Sequence, residues 1–178
     1  FIGTGIINTH AKVMVRMISH QLIKQMDESF FEERLMQCQA YRSRFLPQTE
    51  SYRLVNGEAD FLPGLIIDRV GDILLVRLLT AGMEVRRHLI KNVLVRLFAP
   101  KGIYEISVGK EREAEELKPR RGRMYGQVPD FVHVKQDGLS LSIDFKDPEL
   151  LNALLLQRSH VDAIAPLMKK FYTVYASR

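Results

Sequence analysis

A few groups of side chains in this 178-residue sequence have the types and spacing that chemistry uses. In Gly57-Glu58-Ala59-Asp60 two carboxylates stand two residues apart, a spacing open to acid–base work or a Mg²⁺ site and equally to a polar turn between strands. The turn is the plainer reading, because acid–base work needs a cleft that spacing does not supply. In Lys118-Pro119-Arg120-Arg121-Gly122-Arg123, four cations fall within six residues with no acid among them. Proline and glycine keep this run from being a helix face. A loop of this kind can follow a phosphate backbone, arginine being suited to bidentate phosphate contact and to stacking on unpaired bases. The acids between Glu111 and Glu116 stand just upstream and could neutralise it. Lys12 and Arg16 lie in a segment of alternating pattern, so both can point to one face of a strand. Cys38, the single cysteine, falls on an apolar helical stripe without a histidine at catalytic spacing. His10, His20, His88, His133 and His160 form no ligand set, so no metal site and no catalytic residue is expected.

Composition sets the frame around these groups. Hydrophobic residues make up 46% and charged residues 26%, which fits a globular chain and excludes a disordered or collagen-like one. A lone cysteine leaves no intramolecular disulfide and points to a reducing compartment. No run reaches the roughly 18 apolar residues a bilayer span needs, and no secretory leader opens the chain. A cytoplasmic location and no membrane partner are therefore expected. The net charge of +5 suggests an anionic partner, with nucleic acid the first candidate.

Phe1 to Ser19 contains no acid, and its alternation predicts a strand pair punctuated by Gly3, Gly5 and Asn8. About twenty residues cannot close a barrel alone, so the chain reads as cut at its N-terminus. Asp27 and Glu28 supply a cap and a first-turn acid for a helix to about Phe45, with Phe31, Leu35, Cys38 and Phe45 on one face, ended by Pro47. Arg42 interrupts that stripe, with its stem on the apolar surface and its head in water. Short strands follow: Tyr52 to Val55, then Leu65 to Asp68 after a Pro63-Gly64 corner, then Ile73 to Leu79 after a turn at Val70-Gly71-Asp72. Met83 to Phe98 reads as one amphipathic helix closed by Pro100 and Gly102, with Arg86, Arg87 and Lys91 on a solvated face. A strand from Ile103 to Val108 leads into a charged connection over 109–126. A second hairpin around Asp137-Gly138, a helix from Asp147-Pro148-Glu149 through the Leu150 to Leu156 cluster towards Lys170, and a last strand from Phe171 complete the pattern. Without a regular βαβ repeat, the class expected is α+β.

Three stretches resemble the ribosomal RNA large-subunit methyltransferases that make 5-methylcytosine. They are the opening Gly3-Thr4-Gly5-Ile6-Ile7-Asn8 with the Ile/Val-rich sequence to Arg16, the run from Tyr52 to Arg69 with its Gly57-Glu58-Ala59-Asp60 and Pro63-Gly64-Leu65 segments, and Gln157-Arg158. The middle run, similar to an R-x-x-x-G-E-x-D-x-x-P-G-L-x-x-D-R pattern, is the specific one. Glu149-Leu150-Leu151-Asn152 and Leu156 depart from the family's Q-K-T-G-x-F-x-D-Q-R segment, and Glu115-Glu116-Leu117 departs from Glu-Gly-Leu.

The resemblance implies partial PUA β-barrel strands at 1–20, a linker helix at 21–50, a mixed α/β central domain at 51–146, and at 147–178 a helix leading into the first strand of a truncated Rossmann-like domain. It implies RNA as partner, with contacts at Asn8, Lys12 and Arg16 beside those at Arg120, Arg121 and Arg123, and a homodimer. S-adenosylmethionine is the cofactor of the family, and none is expected to be held by this chain, which lacks the Gly-rich turn and the catalytic cysteine. The function expected is the RNA-binding and central portion of a 23S rRNA (cytosine-C5) methyltransferase. A non-catalytic RNA- or protein-binding module descended from that family is the alternative.

Overall fold

The computed structural model describes residues 1–45, 50–136 and 139–144. The expected helix and strand beyond Asp144, Gln157-Arg158, the leucine cluster, Pro47 and the Asp137-Gly138 turn lie outside them. The described residues are mixed α and β, built round a five-stranded sheet in the order β3-β4-β5-β6-β7.

The opening strand pair forms, as β1 (Thr4–Ile7) antiparallel to β2 (Val15–Ser19). Gly5 sits inside β1 rather than at a turn, and Lys12 belongs to the connection rather than to β2. Helix α1 (Glu28–Phe45) starts where the acids predict, because Asp27 Oδ1 accepts the Phe30 N–H at 3.0 Å. Its apolar side, with Phe31 and Leu35 fully buried, packs into the sheet's core. Arg42 departs from expectation. Its guanidinium is largely buried, bonding both Asp60 oxygens and the Arg53 carbonyl, so its head is in an ion pair rather than in water.

β3 (Ser51–Asn56), β4 (Leu65–Val70) and β5 (Ile73–Leu78) form an antiparallel meander. Gly71, at φ +58°, makes the tight turn between the last two. The corner before β4 requires Gly64, whose φ is +77° and whose absent side chain leaves room for Thr80. The Thr80 hydroxyl fills that room and donates to the Pro63 carbonyl at 3.0 Å. Gly64→Ala therefore combines backbone strain with overlap against Thr80. It is expected to lower the unfolding free energy by more than about 1 kcal/mol in urea titration.

The helix expected from Met83 breaks into α2 (Ala81–Glu84) and α3 (Arg87–Phe98). Arg86 leaves helical torsions at φ −101° and ψ 10°, and its guanidinium donates back to the Gly82 carbonyl. Arg87 consequently turns inward to Glu105, at 2.7 Å, instead of lying on a solvated face. Ala99 in the left-handed region closes α3, and Gly102, expected to close the helix, opens the next strand. That strand, β6 (Gly102–Ser107), runs parallel to β5, giving one βαβ crossover in an otherwise antiparallel sheet.

The charged connection is structured too. It contains α4 (Lys110–Glu113) and β7 (Arg120–Gly126), an edge strand antiparallel to β6. β8 (Phe131–Gln136) and β9 (Leu139–Asp144) form the second hairpin, whose Val134 and Ile143 bury against Val70, Ile73, Leu75 and Ile106 of the sheet. Helices α1 and α3 supply side chains to the sheet's other core.

Candidate nucleic-acid interface

The two carboxylates of Gly57-Glu58-Ala59-Asp60 do not converge. They lie in a 3-10 turn, where Asp60 binds Arg42 and the Asn56 N–H while Glu58 meets Arg16 at 3.1 Å. Both are spent on structure, and no group of His, Cys, Asp or Glu able to hold a metal occurs among the described residues. Cys38 is buried, and burial pushes its thiol up to about 11, the behaviour of a small hydrophobe rather than a nucleophile.

The residues expected to touch RNA fall into separate groups. Asn8 and Arg16 both turn to Glu115, a carboxylate only 2% exposed. Asn8 Nδ2 donates to it at 2.8 Å, Arg16 donates through Nε and Nη2 at 3.2 and 3.1 Å, and the Ala81 N–H adds a bond at 3.1 Å. Burial raises the Glu115 pKa, but these donors outweigh it, and the carboxyl is held below the ordinary glutamate range. Arg16 therefore serves first as a clasp between β2 and the rest of the fold. Lys12 does not share a strand face with Arg16; it is exposed in the connection between β1 and β2.

Arg120, Arg121 and Arg123 lie on β7, a strand where a loop was expected. Backbone pairing to β6 makes the strand, and such pairing does not require apolar side chains. Alternation puts Arg121, opposite Ile106, and Arg123, opposite Tyr104, on the face that carries the β8–β9 hairpin, and both are exposed. Arg120 turns to the helical face and binds Glu84 at 2.9 Å. Glu84 also binds Arg112, a nearly fully buried guanidinium that donates to the Leu78 and Lys118 carbonyls. Of the upstream acids, Glu115 faces the N-terminal hairpin, and Arg120 is taken by Glu84 from another helix.

Sequence pattern missed Glu84, Arg112 and Glu115. Each sits in a charged stretch whose local pattern reads as solvated surface, and their partners are remote in the chain.

S-adenosylmethionine would be sought where the parallel strands β5 and β6 end, the usual place for a nucleotide in an α/β sheet. There the buried Arg112 guanidinium is bonded to the Leu78 carbonyl at the end of β5. The glycine after β6, Gly109, leads into a helix of only four residues. The described residues do not fit the cofactor at that point.

No known protein-family profile matches the chain. It is 34% identical over 164 residues to the ribosomal RNA large subunit methyltransferase I of Tolumonas auensis, covering 90% of this chain and 41% of that protein. It is 32% identical over 171 residues to the Alteromonas mediterranea protein of the same name, covering 95% and 43%. The chain thus spans about two-fifths of the length of the relatives it matches. Among solved structures, one described as a candidate SAM-dependent methyltransferase from Streptococcus mutans matches with TM-score 0.66 at 22% identity, over 81% of this chain and 37% of that one. A second, described as a candidate methyltransferase complexed with SAH, matches with TM-score 0.67, also at 22% identity, over 81% of this chain and 36% of that one. Those likenesses establish a shared fold. Over the part of those proteins that it spans, the chain is similar in sequence to ribosomal RNA large subunit methyltransferase I.

Proposed function

We propose that these residues are the RNA-holding and central portion of a SAM-dependent 23S rRNA (cytosine-C5) methyltransferase, cytoplasmic and dimeric, and that methyl donation is carried out elsewhere than on the residues described. The observation that carries this reading is β7, an exposed edge strand presenting Arg121 and Arg123 in a chain related to rRNA methyltransferases. Two guanidiniums on one strand face are spaced to meet successive phosphates, and phosphate contacts position a protein on RNA. No helix among the described residues is long and apolar enough to cross a membrane.

Residues 1–20 are read as the closing strands of a PUA domain. In support, the β1–β2 hairpin leaves Ile7, Val13, Met14 and Val15 more than half exposed, as strands of a larger β-structure would be when seen without their neighbours. On this reading α1 links that domain to the central one at 51–146.

The test is salt-dependent binding of the chain to a 23S rRNA fragment. Arg121→Ala with Arg123→Ala should weaken binding and reduce the slope of log affinity against log salt by about 1.5, the value for two phosphates. An unchanged slope would remove β7 from the interface.

A further inference from the structure

β7 ends beside an open groove of about 1220 Å³ that begins at Gly126 and runs between the sheet and the β8–β9 hairpin. Tyr52, Arg69, Lys101, Gln127, Phe131 and His133 are among its lining residues. Its formal charges balance, Arg69 and Lys101 against Glu50 and Asp72. Lys101 binds Asp72 at 2.7 Å, Arg69 donates to the Gly71 carbonyl, and Glu50 accepts the Lys135 N–H. What it offers instead is flat or amide surface. Phe131 is 51% exposed, and the Gln127 and His133 side chains are exposed and make no hydrogen bond among the described residues.

A charge-matched groove is a poor host for phosphate. It is a good host for a base, which needs a ring to stack on and a few donors and acceptors at its edge. Further cations stand next to it, on the strand that feeds it, where Arg121 and Arg123 are exposed and the outer backbone edge has no neighbouring strand among the described residues. That edge is unsuited to pairing with a second copy of itself, since arginines would meet arginines.

Resting on the reading that this chain holds RNA, we infer that the groove takes unpaired bases of a single-stranded RNA segment whose phosphates lie along β7. Phe131 stacks on a base, and Gln127 and His133 bond to base edges. Duplex RNA, with its bases stacked inside, gains nothing from the groove.

The experiment measures fluorescence anisotropy of the full 178-residue chain with a labelled short single-stranded RNA and with a blunt duplex of the same sequence. Phe131→Ala combined with Gln127→Ala should weaken the single strand about tenfold, with the salt slope and duplex affinity unchanged. Phe131→Tyr, which keeps a stacking ring, should retain wild-type affinity, and the thermal midpoint of each variant checks that it folds. If the wild type binds single-stranded RNA and the double variant binds it equally well, or loses the duplex to the same extent, the groove is not the site, and the reading of β7 stands. If the wild type binds neither RNA, both fail together.

Discussion

Replacing Asp68 with asparagine should lower the unfolding free energy by about 3–5 kcal/mol, the cost of removing one partner from a buried ion pair. Asp68 is completely buried on β4. Its Oδ1 accepts Arg53 Nε from β3 and its Oδ2 accepts Arg77 Nη2 from β5, each at 2.8 Å, so one carboxylate ties three strands together. The two guanidiniums are only 12% and 18% exposed, and neither reaches water well once the charge between them is gone. The asparagine amide would also direct N–H groups at donors. Urea titration of Asp68→Asn against wild type reads the loss. If the charge rather than the shape matters, Asp68→Leu with Arg53→Met and Arg77→Met should recover most of the stability, because well-packed apolar side chains can replace a buried ionic cluster. A loss below about 1 kcal/mol for Asp68→Asn would mean that the cluster is solvated.

The second large effect is expected at Glu115. Its carboxylate gathers Asn8, Arg16 and the Ala81 N–H, and so clasps the β1–β2 hairpin to the start of α2. Ile6 packs over Gly82, where an added Cβ would lie 2.7 Å from its Cγ2. Glu115→Gln keeps the shape and removes the charge, and bonds to a charged acceptor contribute about 1.5–3 kcal/mol each. Part of the clasp survives, since Arg16 also binds Glu58. The expected result is a tenfold or greater loss of hydrogen-exchange protection for the β1 and β2 amides, with β4 and β5 unaffected.

Glu115 also sets a pH dependence. Its folded pKa is lowered, so the stabilisation is present in full above the unfolded value, about 4.3, and is lost as the pH falls below that through the folded value. Hairpin protection in the wild type should therefore decline in acid before that of the central sheet, and Glu115→Gln should abolish the difference. Protection that stays equal at all pH values would separate the hairpin from this carboxylate.

Local signals were the ones that could be read in advance. Asp27 starts α1 because a short acceptor before an apolar run captures free N–H groups within three residues, and Gly71 turns the β4–β5 hairpin because it alone tolerates that torsion at no cost. The Tyr52 to Arg69 run carried the family resemblance in the same direct way, and the chain is 34% identical to a ribosomal RNA large subunit methyltransferase I over 164 residues. Such features act within a few residues, and the chain spells them out in order.

The fate of the charges was settled otherwise. Asn8 and Glu115 are 107 residues apart, Arg112 and Glu84 are 28 apart, and nothing in a helical or strand period links either pair. β7 was illegible for a related reason: strand pattern is recognised from apolar alternation, whereas a strand is made by backbone bonds, and an arginine-rich segment satisfies β6 as well as any other. Residue types and order were enough for a basic α+β chain with candidate RNA-contacting arginines. Which carboxylates Arg16 and Arg120 bind depended on folding, because an ion pair is chosen by proximity in space and by exclusion of water, and neither is a property of neighbours along the chain.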